Sequence, residues 1–187
     1  MWMAVYRKLL PTEATPLRRH LLRLTADERR MRFQGGVADL SIERLCAQLD
    51  WFRTVVVGYV VDGRLRGAAQ LGFDRFLCPH TVEVAVTVET PWQGRGVGTE
   101  LIRRAVTIAR NRGTRRLFML CLVENRRMRE IARKLQSALH VESGTIEADL
   151  GLRRATPWTL LEELVQDGAG GWSAAADRLM APPPTAA

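Results

Sequence analysis

The spacing of apolar side chains changes period several times along the chain, and each change marks an element. Residues 2–10 (WMAVYRKLL) read as an opening strand, and 17–24 and 26–33 read as helices, with Thr25 and Asp27 at a helix start between them. Gln34-Gly35-Gly36 punctuates the chain. Ser41, a good N-cap, then opens a third helical stretch, SIERLCAQLD. Residues 54–61 and 64–73 are β-rich runs joined by Asp62-Gly63, the turn chemistry of a tight hairpin. Over 81–89 (TVEVAVTVE) the alternation is strict. Val82, Val84, Val86 and Val88 point one way, and Thr81, Glu83, Ala85, Thr87 and Glu89 the other.

A glycine-rich turn over 91–98 ends this strand, and the period becomes helical over 99–111. Leu101, Ile102, Ala105, Ile108 and Ala109 form one apolar stripe, with Arg103, Arg104 and Arg110 largely off it. Arg112-Gly113 stops the helix, and 117–123 (LFMLCLV) is a continuous apolar run of buried-strand type. Residues 125–139 read as a second amphipathic helix and 140–153 as a returning strand. Pro157, behind Thr156, starts a short helix. The pattern predicts an α/β fold, a mixed sheet with helices on its faces. We assign 1–155 to one domain, 156–167 to a short C-terminal helix, and 168–187, with its GAGG and APPPTAA runs, to a flexible tail.

Composition narrows the class. A chain of 187 residues, 47% hydrophobic and 26% charged, can build a single core and is too apolar to be disordered as a whole. Runs such as Val55-Val56-Val57 fall far short of the ~20 residues of a membrane span. At the N-terminus the positive charge follows the apolar stretch, unlike a signal peptide. Three scattered cysteines without a CxxC pair, and three histidines that form no ligand cluster, argue against a disulfide scaffold and a metal site. A reducing cytoplasm suits this usage. The net charge of +8 comes almost wholly from arginine. It fits either an anionic partner or arginines spread over solvated faces. Nucleic acid is disfavoured as that partner, because no recognisable motif is present and aromatics make up only 6%.

The chemistry concentrates where the strand over 81–89 gives way to the helix. Gln93-Gly94-Arg95-Gly96-Val97-Gly98-Thr99 lies at a helix N-terminus, where backbone N–H groups lack intrahelical partners and the macrodipole is positive. Alternate glycines let the backbone approach an anion closely, so a phosphate or diphosphate cradle is expected, with Arg95 adding charge. A plain tight connection is the bland alternative. A dinucleotide fingerprint fits poorly, since Thr99 stands where its third glycine belongs and a hairpin precedes it.

Gln93-x-x-Gly96-x-Gly98 resembles the acetyl-CoA diphosphate loop of the GNAT N-acetyltransferase superfamily. The strand before the loop, the helix after it, the strand LFMLCLV and Asn125-Arg126-Arg127-Met128 follow in the family's order. The resemblance covers roughly residues 54–139. It implies a central, mostly antiparallel sheet in which the fourth and fifth strands splay apart. It also implies that the pantetheine arm of acetyl-CoA pairs with backbone around Val86, Thr87 and Val88. Gln93, Gly94, Arg95, Gly96, Val97, Gly98 and Thr99 would take the diphosphate, and Asn125 would contact or orient the cofactor.

Transfer requires a neutral amine, and a lysine with pKa ~10.4 needs a base near neutral pH. Glu83, on the polar face of the strand and ten residues before Gln93, is the candidate base; an ordinary surface glutamate is the alternative. The backbone N–H of Val86 is a candidate oxyanion donor. Two positions depart from the family pattern. Ala132 stands where many relatives carry a tyrosine that protonates the leaving thiolate, and Gln136-Ser137 replaces the usual Gly-Phe. The resemblance to protein lysine acetyltransferases makes a protein lysine the first acceptor to expect, followed by a small-molecule amine. A non-catalytic acyl-CoA sensor is the competing class. A homodimer stays open.

Overall fold

The computed structural model describes residues 4–142 and 144–180. Its seven strands form one sheet: β1 (Ala4–Lys8), β2 (Thr54–Val61), β3 (Arg64–Phe73), β4 (Thr81–Val88), β5 (Arg116–Leu122), β6 (Ala138–Glu142) and β7 (Thr145–Gly151), in the order β1-β2-β3-β4-β5-β7-β6. Every neighbouring pair is antiparallel except β4 and β5. The fold is therefore the mixed sheet that the element pattern predicts, and it is mostly antiparallel, as the family resemblance implies. The hairpin turn Asp62-Gly63 holds φ values of 47° and 71°, as a tight primed turn requires.

Three helices join β1 to β2: α1 (Ala14–Arg23), α2 (Ala26–Phe33) and α3 (Asp39–Ala47). α1 and α3 cover one face of the sheet, where Leu17, Leu21 and Ile42 bury against Val56, Val60 and Ala68. α4 (Val97–Asn111) covers the other face, setting Leu101, Ile102 and Ala105 against Val57, Leu71, Val82 and Val84. The even-numbered valines of β4 thus meet α4, and the odd-numbered polar residues look toward α1 and α2. α5 (Arg126–Lys134) adds Ala132 and the partly buried Met128 and Ile131 to the α4 layer.

Several boundaries differ from the sequence reading. α3 begins at Asp39, so Ser41 lies inside it, and the N-cap is Ala38. α5 ends at Lys134 rather than near 139, because Gln136 turns left-handed (φ 58°) and Ser137 N–H closes on Ala132 O. The single strand expected over 140–153 is instead the β6–β7 hairpin, with Gly144 at φ 81°. α6 (Pro157–Met180) runs through the stretch read as a tail; residues 181–187 lie outside those described. Its first turns are tied down by polar contacts. Asn111 Nδ2 donates to Thr159 O and to Glu163, and Lys8 reaches Glu163 and Asp167. No described helix is long and apolar enough to cross a membrane.

Candidate active site

The site follows from one interruption in strand pairing. β4 and β5 pair only over Thr81–Glu83 against Arg116–Phe118, after which β5 turns to β7 alone. On its other side β4 stays paired with β3 through Val88. Glu89 N–H donates to Arg66 O, and Asp74 N–H donates to Thr81 O. In an antiparallel ladder these orientations alternate, so odd-numbered residues of β4 face β3 and even-numbered ones turn N–H and C=O the other way. Val86 and Val88 therefore direct their backbone into the gap, where no described strand meets them. The Val88 carbonyl accepts Gln93 Nε2 at 2.6 Å.

The gap opens into a cavity of about 620 Å³, lined on one side by Gly94, Gly96, Val97, Gly98 and Thr99 and on the other by Leu120, Cys121, Asn125 and Met128. Gly94 and Gly96 hold φ values of 72° and 80°, and a Cβ at either would meet nothing within 4 Å. Gly96 is the N-cap of α4, with no side-chain cap, so the helix's first amides are left for a ligand. Its first i→i−4 bond is Glu100 N–H to Gly96 O. These features fit a diphosphate cradle beside a free strand edge.

The expected site residues separate into three groups. Val86, Val88, Gln93, Gly94, Gly96, Val97, Gly98, Thr99 and Asn125 all line the cavity. Of these, Gln93 fastens the loop through Val88 O and Glu28, Val97 is buried in the core, and Asn125 caps α5 by accepting from Met128 N–H at 3.1 Å. Thr87 lines the cavity too, but its side chain hydrogen-bonds His20 and its backbone faces β3. Arg95 and Glu83 stand apart from the lining. Arg95 is exposed, its guanidinium 5.2 Å from the Trp92 ring centre. Glu83 is exposed at the last β4 position paired with β5, and its charge acts on Arg32. Ala132 is buried among the packed residues between α5 and the sheet.

The opposite wall comes from α1 and α2 through Leu24, Thr25, Glu28, Met31 and Arg32. Thr25 and Glu28 form a capping box, and the T-x-x-E spacing that makes it is present in the sequence. The Glu28 carboxylate also accepts from Thr90 N–H at 2.6 Å, Thr90 Oγ1 at 2.8 Å and Gln93 Nε2 at 3.2 Å. Arg30 pairs with Glu124 across the gap, and this contact holds the Glu124 carboxyl below its ordinary range. Burial draws the Arg32 guanidinium down, partly offset by Glu83. Burial pushes the Cys121 thiol up, which suits a packing residue better than a nucleophile.

A family model described as the acetyltransferase (GNAT) family matches residues 20–136. This chain belongs to that family. It is 29% identical over 121 residues to an acetyltransferase of Pseudomonas aeruginosa, an alignment covering 61% of this chain and 63% of that protein. The chain thus spans under two-thirds of the length of the curated relative it matches. Among solved structures, the GNAT domain of S. lividans PAT superposes with a TM-score of 0.67 at 20% identity, over 79% of this chain and 89% of that one. The yncA protein of Salmonella typhimurium, solved with its cofactor acetyl-CoA, superposes with a TM-score of 0.61 at 18% identity, over 83% of this chain and 98% of that one. At these identities the two superpositions speak to the fold.

Proposed function

We propose that this chain transfers an acetyl group from acetyl-CoA to an amine by direct attack, with both substrates bound and no covalent enzyme intermediate. The observation that carries this reading is the backbone edge of β4 at Val86 and Val88, which opens beside the uncapped N-terminus of α4. An extended pantetheine arm would add to that edge as a short strand, while its diphosphate meets the amides of residues 94–99. Arg95, on the rim of the loop, would add charge. Asn125 would hold the start of α5 against the cofactor. Acetyl-CoA brings the acyl group already activated as a thioester, so the protein's task is positioning and proton management. The Val86 N–H points into the gap, as a donor to the developing oxyanion must.

Family resemblance supports a protein lysine as the first acceptor and a small-molecule amine as the second. The α1–α2 wall is where either would enter, since the cofactor occupies the α4–α5 side. The deciding experiment is a screen of lysine peptides and small amines with acetyl-CoA, reading released CoA thiol. Acetyl-CoA binding together with thiol release for one acceptor class supports transfer. Tight binding with no release for any amine favours an acyl-CoA sensor.

A further inference from the structure

A buried side-chain chain runs behind the cavity. His20, on α1, is 0% exposed, with Nε2 2.8 Å from Thr87 Oγ1 and Nδ1 3.1 Å from Glu89 Oε1. Glu89 also accepts from Arg23 Nε at 3.0 Å and Nη2 at 2.8 Å, and from Arg66 Nη1 at 2.9 Å. Arg23 is itself held by Leu65 O at 2.6 Å. Arg23 on α1, Arg66 on β3 and Glu89 after β4 are the charged groups that touch this cluster among the described residues.

The partners dictate the proton positions. Burial alone would push the Glu89 carboxyl up, but the hydrogen bonds from His20, Arg23 and Arg66 hold it down at about 2. An ionised carboxylate only accepts, so His20 Nδ1 carries the hydrogen, and in the neutral form of the imidazole Nε2 then carries a lone pair. The Thr87 hydroxyl then donates to Nε2 and keeps its own lone pairs, on a residue that lines the cavity. This is the ordering that a hydroxyl–imidazole–carboxylate chain needs to accept a proton.

We propose that Thr87 and His20, oriented by Glu89, form the relay that takes the proton from the acceptor amine. The inference rests on reading the cavity as the acetyl-transfer site. At neutral pH the acceptor ammonium passes one proton to Thr87 Oγ1 while the Thr87 proton passes to His20 Nε2, and the freed lone pair bonds to the acetyl carbon. The carbon–sulfur bond breaks, the imidazolium returns its proton through the same hydroxyl to the departing sulfur, and the new amide nitrogen sheds its second proton to water. Ammonium and thioester give amide, thiol and one proton released to solvent, with none left on the protein. The return path supplies the acid missing at Ala132. Thr87 is the catalytic residue; His20 and Glu89 act through it. Glu83 lies outside the lining and is not needed for this step.

The test uses the full chain with acetyl-CoA and an Nα-blocked lysine amide as the probe amine. Thr87→Val keeps the side-chain volume and should lower kcat about 100-fold at neutral pH, with little change in the KM for acetyl-CoA. The deficit should narrow as pH rises toward ~10.4, where the amine supplies its own lone pair. Thr87→Ser should restore most of the rate. His20→Gln should match Thr87→Val in pH dependence, and acetyl-CoA titration by calorimetry confirms that each variant is folded. An equal deficit at every pH, or unchanged turnover in Thr87→Val, overturns the relay and leaves transfer standing. A neutral-pH deficit that appears in Glu83→Gln instead overturns it as well. If the wild type releases no thiol with the probe or any screened amine, the transfer reading falls and the relay with it.

Discussion

On one side of β4 lies α4, with seven buried residues; on the other lies α2, with none. α4 is held by apolar burial along its whole length, and its N-terminal cradle is therefore built before any ligand arrives. α2 is held by discrete polar ties. Glu28 joins it to Thr90 and Gln93, Arg30 to Glu124, Arg29 to Leu22 O and Asp39, and Arg32 to Gln70. Burial resists displacement in proportion to the area removed from water, whereas half-exposed polar ties exchange readily with water. On the proposed reading the difference would suit the two substrates: acetyl-CoA would meet the side fixed by apolar burial, and the amine the side held by polar ties, which open more readily.

The sharpest way to break this contrast is to hollow out the rigid side. Leu101 is fully buried between α4 and the sheet, so Leu101→Ala should cost roughly 3 kcal/mol in thermal or denaturant unfolding. A loss under about 1 kcal/mol would mean that α4 is not anchored by its apolar stripe. Glu89→Gln comes next. It leaves Arg23 and Arg66 without their counter-charge and should cost on the order of 3 kcal/mol near neutral pH.

Its pH signature is distinct. The folded-state pKa of about 2 lies below the ordinary 4.5, so the contribution is present above pH 4.5 and is lost as pH falls toward 2. Wild-type stability should therefore drop by roughly 3 kcal/mol across that window on this group's account. The Gln variant should lack that part of the slope in acid titrations followed by circular dichroism. Parallel slopes would remove Glu89 as the buried anion.

Gly96→Val is the next smaller effect. Its φ of 80° disfavours any β-branched residue, and the added methyls enter the open space in front of α4. Acetyl-CoA affinity should fall about 30-fold, roughly 2 kcal/mol, by calorimetry. Undiminished affinity would place the diphosphate elsewhere. The smallest change in global stability belongs to Glu28→Ala, under about 1 kcal/mol. Amide hydrogen exchange over Ala26–Phe33 should nevertheless accelerate several-fold while α4 is unaffected. Equal acceleration in both helices would erase the contrast between the two sides.

Much of the molecule was legible in the chain because its signals are local. The alternation over 81–89 and the Asp62-Gly63 turn place β2, β3 and β4 to within a residue, and the glycine loop announces the turn into the N-terminus of α4. Period and turn chemistry are properties of a few neighbouring residues, so they survive without a fold. Helix ends were less legible. Gln136 adopts a left-handed conformation in place of the usual glycine, and nothing in its neighbours announces that α5 stops there. The proton chain lay beyond reach entirely. His20 and Thr87 stand 67 positions apart and meet only because α1 packs onto the sheet, and Glu83 satisfies every local expectation of a base yet lies outside the cavity lining. Local periodicity assigns a side chain to a face of its own strand. Which other face it meets, and whether water reaches it, depends on contacts between distant segments, and only the packed tertiary structure sets those.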